Sequence, residues 1–529
     1  DENLRLSING LADWSEEDTR LDVTMQLADF KPASLHLINQ YPDLELGATT
    51  YISLYTSGKT SEMLDNMTGY VIVDTLQIRN GEAQTIMEQF KLLVDSEYEN
   101  GHTQHQLRIQ SDYLTANLSG AFSYQTLPAT IQQLLHQYVP TLVKAPIKKA
   151  TTNNNLDFYA YFRELDSLSY VFDLDVELPS FPTIKGFIHE DNQQIGIQAY
   201  VPFLNTSGTK MENITISLDN QDDILDFSMY VLNHLPTDNP TAAKLGDIKA
   251  TLRVTADNDE VDMSIGLGNT DSVRNEGIIS VTSKLSTYKN QPKFDVLILP
   301  TNIILNDSAW TIGQATISYT VADQIIEIND FSLSTDYQSI VANGRASKSA
   351  TDSIDVALNN INLDYLLTYT PASEVISIMG PVIGHARLYS VLSEPMLEAE
   401  ASIKNGGLNG VYLGDVNAKA VLDRTNKSIL IFGQVVDSTE HMVAKVEGKV
   451  IPAKKWGKLD INCDSVDIHF IDYWTQGIIA NPQGRGFGHV KVEGEQHQVW
   501  VTGRALAKNA QITVPQIGVT FHLTDSIFM

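Results

Sequence analysis

The sequence predicts an all-β chain with a few short helices, organised as an elongated, repetitive antiparallel sheet. Three observations carry this: strict apolar/polar alternation, turn-forming residues every 8–15 positions, and an internal echo about a hundred residues apart. Alternation is the period-2 mark of a strand with one apolar and one wet face. Ile214, Ile216 and Leu218 alternate with Thr215, Ser217 and Asp219. Leu225, Phe227, Met229 and Val231 follow, with Asp226, Ser228 and Tyr230 between them. Ile248, Ala250, Leu252, Val254 and Ala256 are expected to pair with Val261, Met263, Ile265 and Leu267 across the turn Asp257-Asn258-Asp259. Near the end, Ile517, Val519, Phe521 and Leu523 repeat the pattern.

Four segments read as short helices capping sheet edges. The best is Leu127 to Val143, with Ile131, Leu134, Leu135 and Tyr138 at helical spacing. The others are Ala33 to Tyr41, Asp364 to Met379 and Asp467 to Ile479.

The echo is specific. Gly384-His385-Ala386-Arg387-Leu388 is answered 104 positions later by Gly488-His489-Val490-Lys491-Val492, and Ala401-Ser402-Ile403-Lys404-Asn405 by Ala505-Leu506-Ala507-Lys508-Asn509. One unit is then a strand, a short helix and several more strands. The expected organisation is a helix-capped β unit over 1–145 and a β-meander over 146–355. A β repeat with a short helix covers 356–460, and a truncated second copy covers 461–529. Strands stacked side by side make a quasi-one-dimensional object. If one face stays apolar along it, the sheet must curl around that strip or cover it, and a long groove results.

Composition narrows the function. With 36 Lys+Arg against 65 Asp+Glu the chain carries a formal charge of −29, which repels phosphate backbones and argues against nucleic acid as a partner. Cys463 is the one cysteine, so no internal disulfide or cysteine-based metal site can form. No run of about 18 apolar residues is long enough to span a bilayer. Asp1 is not an initiator Met and Met529 falls inside a strand-like segment, so both ends are expected to be cuts from a longer parent.

Catalytic constellations are thin. His102 and His105 lie three apart in a strand-like stretch, on opposite faces, next to Glu97 and Glu99. His189-Glu190-Asp191 reads as a polar hairpin tip. Asp467, His469 and Asp472, beside Tyr473 and Trp474, occupy the short-helix position of the repeat, where Tyr365, Leu366 and Leu367 stand in the other copy; a structural cap fits better than an acid/base cluster. None of the common phosphate-loop, dinucleotide, nucleophile-elbow or zincin motifs occurs. No enzyme, cofactor or metal is expected.

Ser34 to Leu44 followed by Gly47 to Gly58 resembles a helix-then-strands unit of the TamB/AsmA superfamily, as does Leu64 to Ile78. The two Gly-His units, best seen from Gly488 to Leu523, are similar to the family's repeating glycine-and-strand pattern; the likeness runs over nearly the whole chain and suggests the Bacteroidetes type. The resemblance implies a β-taco, a sheet curled into a U-shaped trough with an apolar interior. It also implies a periplasmic location, an inner-membrane anchor at the N-terminus of the parent, and a partner of the BamA/TamA outer-membrane barrel type. The implied function is a bridge-like conduit carrying phospholipid between inner and outer membrane and supporting outer-membrane biogenesis. The alternative is a scaffold or chaperone for outer-membrane protein assembly and secretion. No family residue is catalytic, so only the groove face carries over, as a pattern. Acyl chains are expected against Ile214, Ile216, Leu218, Leu225, Phe227, Met229, Val231, Leu252, Val254, Val519 and Phe521.

Overall fold

A computed structural model describes residues 3–14, 18–57, 63–99, 102–147, 153–163, 165–178, 181–220, 222–235, 246–270, 273–364, 377–392, 396–472, 478–495, 498–523 and 527–528. The chain divides into two compact units, Asp1–Pro236 with Gly246–Asp271, and Thr237–Leu245 with Ser272–Met529. Each is a repetitive antiparallel sheet curled about its apolar face, with few helices, as the alternation predicts.

In the first unit the strands pair in chain order from Arg5–Trp14 to Glu260–Asn269, each antiparallel to the next. Short strands Ala83–Met87 and Val176–Glu177 branch from this ladder. The hairpin foreseen at Asp257 is present: Ile248–Asp257 pairs with Glu260–Asn269, Asp257 opposite Glu260. Asn258 and Asp259 both take positive φ (46° and 68°), the tight turn whose twist matches the strands it joins. The second unit runs from Glu276–Tyr288 to Val519–Leu523 in the same manner.

The 104-residue echo holds in register. Gly384 lies opposite Ala401 and Gly488 opposite Ala505, and a Cβ at either glycine would strike the neighbouring backbone of Glu400–Ala401 or Arg504–Ala505 within 3 Å. At both sites two strands approach more closely than any side chain allows.

At three places a bulge interrupts the ladder between apolar residues three apart. Leu27 and Phe30, Ile328 and Phe331, and Leu358 and Ile361 each flank a register shift. Within these gaps Asp29, Asp330 and Asn360 take φ of 52–59°, a conformation that Asx residues tolerate. The extra residue returns both apolar side chains to one face.

Two helices close the first unit's apolar face at strand ends. Helix α1, Leu127–His136, carries Pro128 in its first turn and buries Thr130 and Leu134. Leu134 packs with Phe122, Leu156, Ile188 and Ile195. The helix is shorter than the expected Leu127 to Val143, because Pro140 disfavours helical backbone at Val139 and turns follow. Helix α2, Asp166–Val171, was not foreseen; Val171 packs with Leu44 and Ile78. The helix expected over Ala33 to Tyr41 is a run of turns: His36 takes φ 58° and closes them, with Leu37 N–H donating to the Pro32 carbonyl. Of Asp364 to Met379, residues 365–376 lie outside the described residues, and Ile378–Met379 is a strand. Asp467 to Ile479 reduces, among its described residues, to a 3-10 turn, Ile468–Ile471, capped by the Asp467 carboxylate accepting from His469 N–H.

Candidate functional site: an unbroken apolar face

Paired residues in an antiparallel ladder share a face, so the register traces rows across the sheet. One row in the first unit reads Gly10, Val23, Ile52, Val71, Leu92, Ile109, Ala116, Ala160, Ile184, Ala199, Ile216, Met229, Leu252, Ile265. Every member is apolar over fourteen strands. A parallel row passes through Leu118, Phe158, Ile197, Leu218, Phe227, Val254 and Met263, again without a polar side chain. The row between them points the other way and ends Asn117, Tyr159, Lys185, Gln198, Ser217, Ser228, Arg253, Ser264. The two faces therefore differ in chemistry along the whole ladder.

Burial separates this face from an ordinary core. Gly10 and Ile265 in the first row are exposed, and the other twelve are only half-buried. A second sheet packed face to face would bury them. Deep burial occurs at the capped ends, as at Leu156 (2% exposed) and Val171 (1%), and singly along the face, as at Val94 (7%) and Val231 (8%).

The sequence-predicted residues fall on this pattern. Ile216, Met229 and Leu252 lie in one row, and Leu218, Phe227 and Val254 in the next; Leu225, Val231 and Ile214 share their face, opposite Ala256, Ala250 and Val201 respectively. Ile214 lies two residues from Ile216 on the same strand and so on the same face, just past a bulge at Asn213, φ 54°. Val519 and Phe521 belong to the second unit, opposite Val514 and Ile512, and stand 41% and 44% exposed. The second unit has its own apolar rows, which sequence reasoning left out. One reads Ala342, Val356, Ala386, Ala399, Ala420, Ile431, Gly448, Leu459, Val492, Val501. Alternation was present there too, but alanine and glycine carry it weakly.

Polar groups seal the capped end of the first unit. Asn154, wholly buried, accepts from Ser123 N–H (2.8 Å) and donates from Nδ2 to the Thr130 hydroxyl (2.6 Å). The Glu190 carboxylate accepts from the Thr130 hydroxyl and from Asn154 N–H, both at 2.9 Å. So Glu190, which the sequence shows as the tip of a polar hairpin, also ties α1 to the strand ends. Further along, Asn220 donates to the Tyr138 hydroxyl (2.8 Å), and the Asp259 carboxylate accepts from Thr141 N–H and its hydroxyl (3.0 and 2.8 Å). His105, 2% exposed, packs at a tilt against Phe122 and Tyr124, with Nδ1 against the Ser96 hydroxyl (2.9 Å). Burial pushes its imidazole below the ordinary histidine range, against the opposing pull of Asp65.

Depressions of about 640 Å³ near Glu400, Lys419 and Phe432, and about 520 Å³ near Tyr159 and Lys185, open on the polar face. Among the described residues no group of three or more His, Cys, Asp or Glu could hold a metal ion, and no helix is long and apolar enough to cross a membrane. Comparison with protein-family models, with curated proteins and with solved structures finds no match to this chain.

Proposed function

We propose that the apolar face carries lipid acyl chains, and that the protein works without catalysis as a periplasmic segment of a conduit for phospholipid between the two membranes of a cell envelope. One observation carries this reading: a row that is apolar across fourteen strands, with a second apolar row beside it, whose members are half-buried or exposed. Exposing a 16-carbon chain to water costs on the order of 12 kcal/mol, at about 0.8 kcal/mol per CH₂. An open apolar strip removes most of that cost at every point along it, so a chain can slide with little net change.

The test uses neighbouring positions on one strand. A photo-crosslinking residue at Phe227 should capture phospholipid in cells, and the same residue at Ser228, which points to the opposite face, should not. Phe227→Asp should block transport with the fold retained, because an unpaired carboxylate is costly among apolar groups. Absence of lipid at every apolar-face position of these strands would overturn the reading.

A second reading has its own support. Arg5–Trp14 is exposed along its whole length and, among the described residues, pairs only with Asp18–Phe30. Such an edge offers backbone groups for strand addition by a client protein. Crosslinks from Ile8 to a client outer-membrane protein, with none to lipid from Phe227, would favour this assembly role and a barrel partner.

A further inference from the structure

The polar face of the first unit carries a built depression that the lipid reading leaves unused. From the strands Asn155–Phe162, Thr183–His189 and Gln194–Thr206, three aromatic side chains gather there. Tyr159 and Tyr161 are 41% and 49% exposed, with ring centroids 5.4 Å apart. Phe187 lies over Gly196, where a Cβ would meet its ring within 2.6 Å, so only a glycine there leaves room for the ring. Its other neighbour, His189, stacks on it at 4.9 Å. Around these rings stand Asp157, Lys185 and Gln198, supplying both acceptors and donors, and the depression holds about 520 Å³. That volume lies within the roughly 300–1,000 Å³ of small-ligand sites.

We infer that this depression is a saccharide-binding site for a neutral, β-linked glycan. Flat aromatic faces carry negative charge density that attracts the axial C–H groups of a pyranose ring, and the amide, ammonium and carboxylate groups meet its hydroxyls. Tyr161 and Tyr200 lie in one row with Thr183 between them, two strands apart and about 9.6 Å at the usual strand spacing. That interval suits two linked pyranose rings laid across the strands. Tyr200, 39% exposed, is held by its hydroxyl donating to Asn213 (3.1 Å). Charge selects the ligand: a chain of formal charge −29 repels acidic polysaccharides, and Asp157 with Lys185 offers no net cation to hold one.

The test is saturation-transfer NMR and calorimetry on the full chain, with cellohexaose as the probe and maltohexaose as the α-linked comparison. Cellohexaose should bind, with the strongest transfer to its axial protons, and maltohexaose at least tenfold more weakly. The double variant Tyr159→Ala/Tyr161→Ala should lose at least tenfold in affinity and Gln198→Ala several-fold. Phe432→Ala, an exposed aromatic on the second unit's polar face, should change nothing. Circular dichroism checks the fold, and Tyr161→Leu, which keeps bulk without the π face, replaces the double variant if that one unfolds. No binding of cellohexaose, equal binding of maltohexaose, or binding indifferent to the tyrosine variants would each overturn the site. Lipid crosslinking at Phe227 reports on the opposite face, so the two readings fail independently.

Discussion

The two units follow one binary pattern with different side chains. On the first unit's apolar face Ile216, Met229 and Leu252 stand beside Leu218, Phe227 and Val254. In the second unit the corresponding surface is floored by Ala386, Ala399 and Ala420 beside Ala401, Ala418 and Gly433. The first unit also spends buried polar groups on α1, whereas the described residues of the second show only 3-10 turns and one turn of helix-like backbone at its caps. The contrast teaches that a continuous apolar face needs only the alternation, while its depth and rigidity are set by side-chain volume and by what caps the strand ends.

The largest effect is expected at Asn154→Ala, which leaves Ser123 N–H without its acceptor and the Thr130 hydroxyl without its amide donor in a dry site; the first unit should lose about 2–4 kcal/mol, read as a lower urea midpoint. An effect below about 1 kcal/mol would show that the cap is not what stiffens this unit.

Acid should act on the same end. His105 is held neutral in the fold, with its pKa lowered by burial, so its contribution is fully present above its unfolded value near about 6.5 and is lost as pH falls through that range. A His105→Phe variant should flatten the acid limb of the stability profile. His234 has the opposite sign: burial alone would lower it, but hydrogen bonds to Asp247 and Glu212 raise it, so its contribution fades as pH rises above about 6.5.

Ala418→Leu separates an open face from a packed one. Ala418 is exposed on the apolar floor of the second unit, so added bulk should shift stability by less than about 0.5 kcal/mol. In a close-packed core the same change costs about 1–3 kcal/mol, and that outcome would refute an open groove there. The smallest effect is expected at Arg253→Gln, whose partner Asp226 lies 2.7 Å away on the solvated face; thermal unfolding should register about 0.5 kcal/mol or less.

Much of this sheet was legible because alternation is a local signal. Leu225 to Val231 and the Ile248–Asp257 hairpin could be placed on one face from a dozen residues each. What escaped is long-range or out of phase. The Asn154–Thr130–Glu190 cluster joins residues 24 to 60 positions apart, and Glu190 alone looks like any solvated turn acid. Helix α2 is six residues long, too short to show a helical period, and owes its place to Val171 packing on Leu44 and Ile78. The turns at Ala33 to Tyr41 have a helical composition, yet His36 at φ 58° ends them. In the second unit, Ala and Gly rows kept the period but lacked the hydrophobic contrast that makes it visible.

The bulges at Asp29, Asp330 and Asn360 contain errors of length. In a sheet read in twos, one inserted or lost residue turns every later side chain of that strand to the wrong side. A bulge is a place where the count is reset, since one residue there already stands outside the one-to-one pairing of the two strands. Single-residue insertions and deletions should therefore be absorbed at these points and corrupt the remainder of a strand elsewhere. The fold thus carries its own punctuation: each hairpin can drift in length while the two-sided message of the sheet stays in frame.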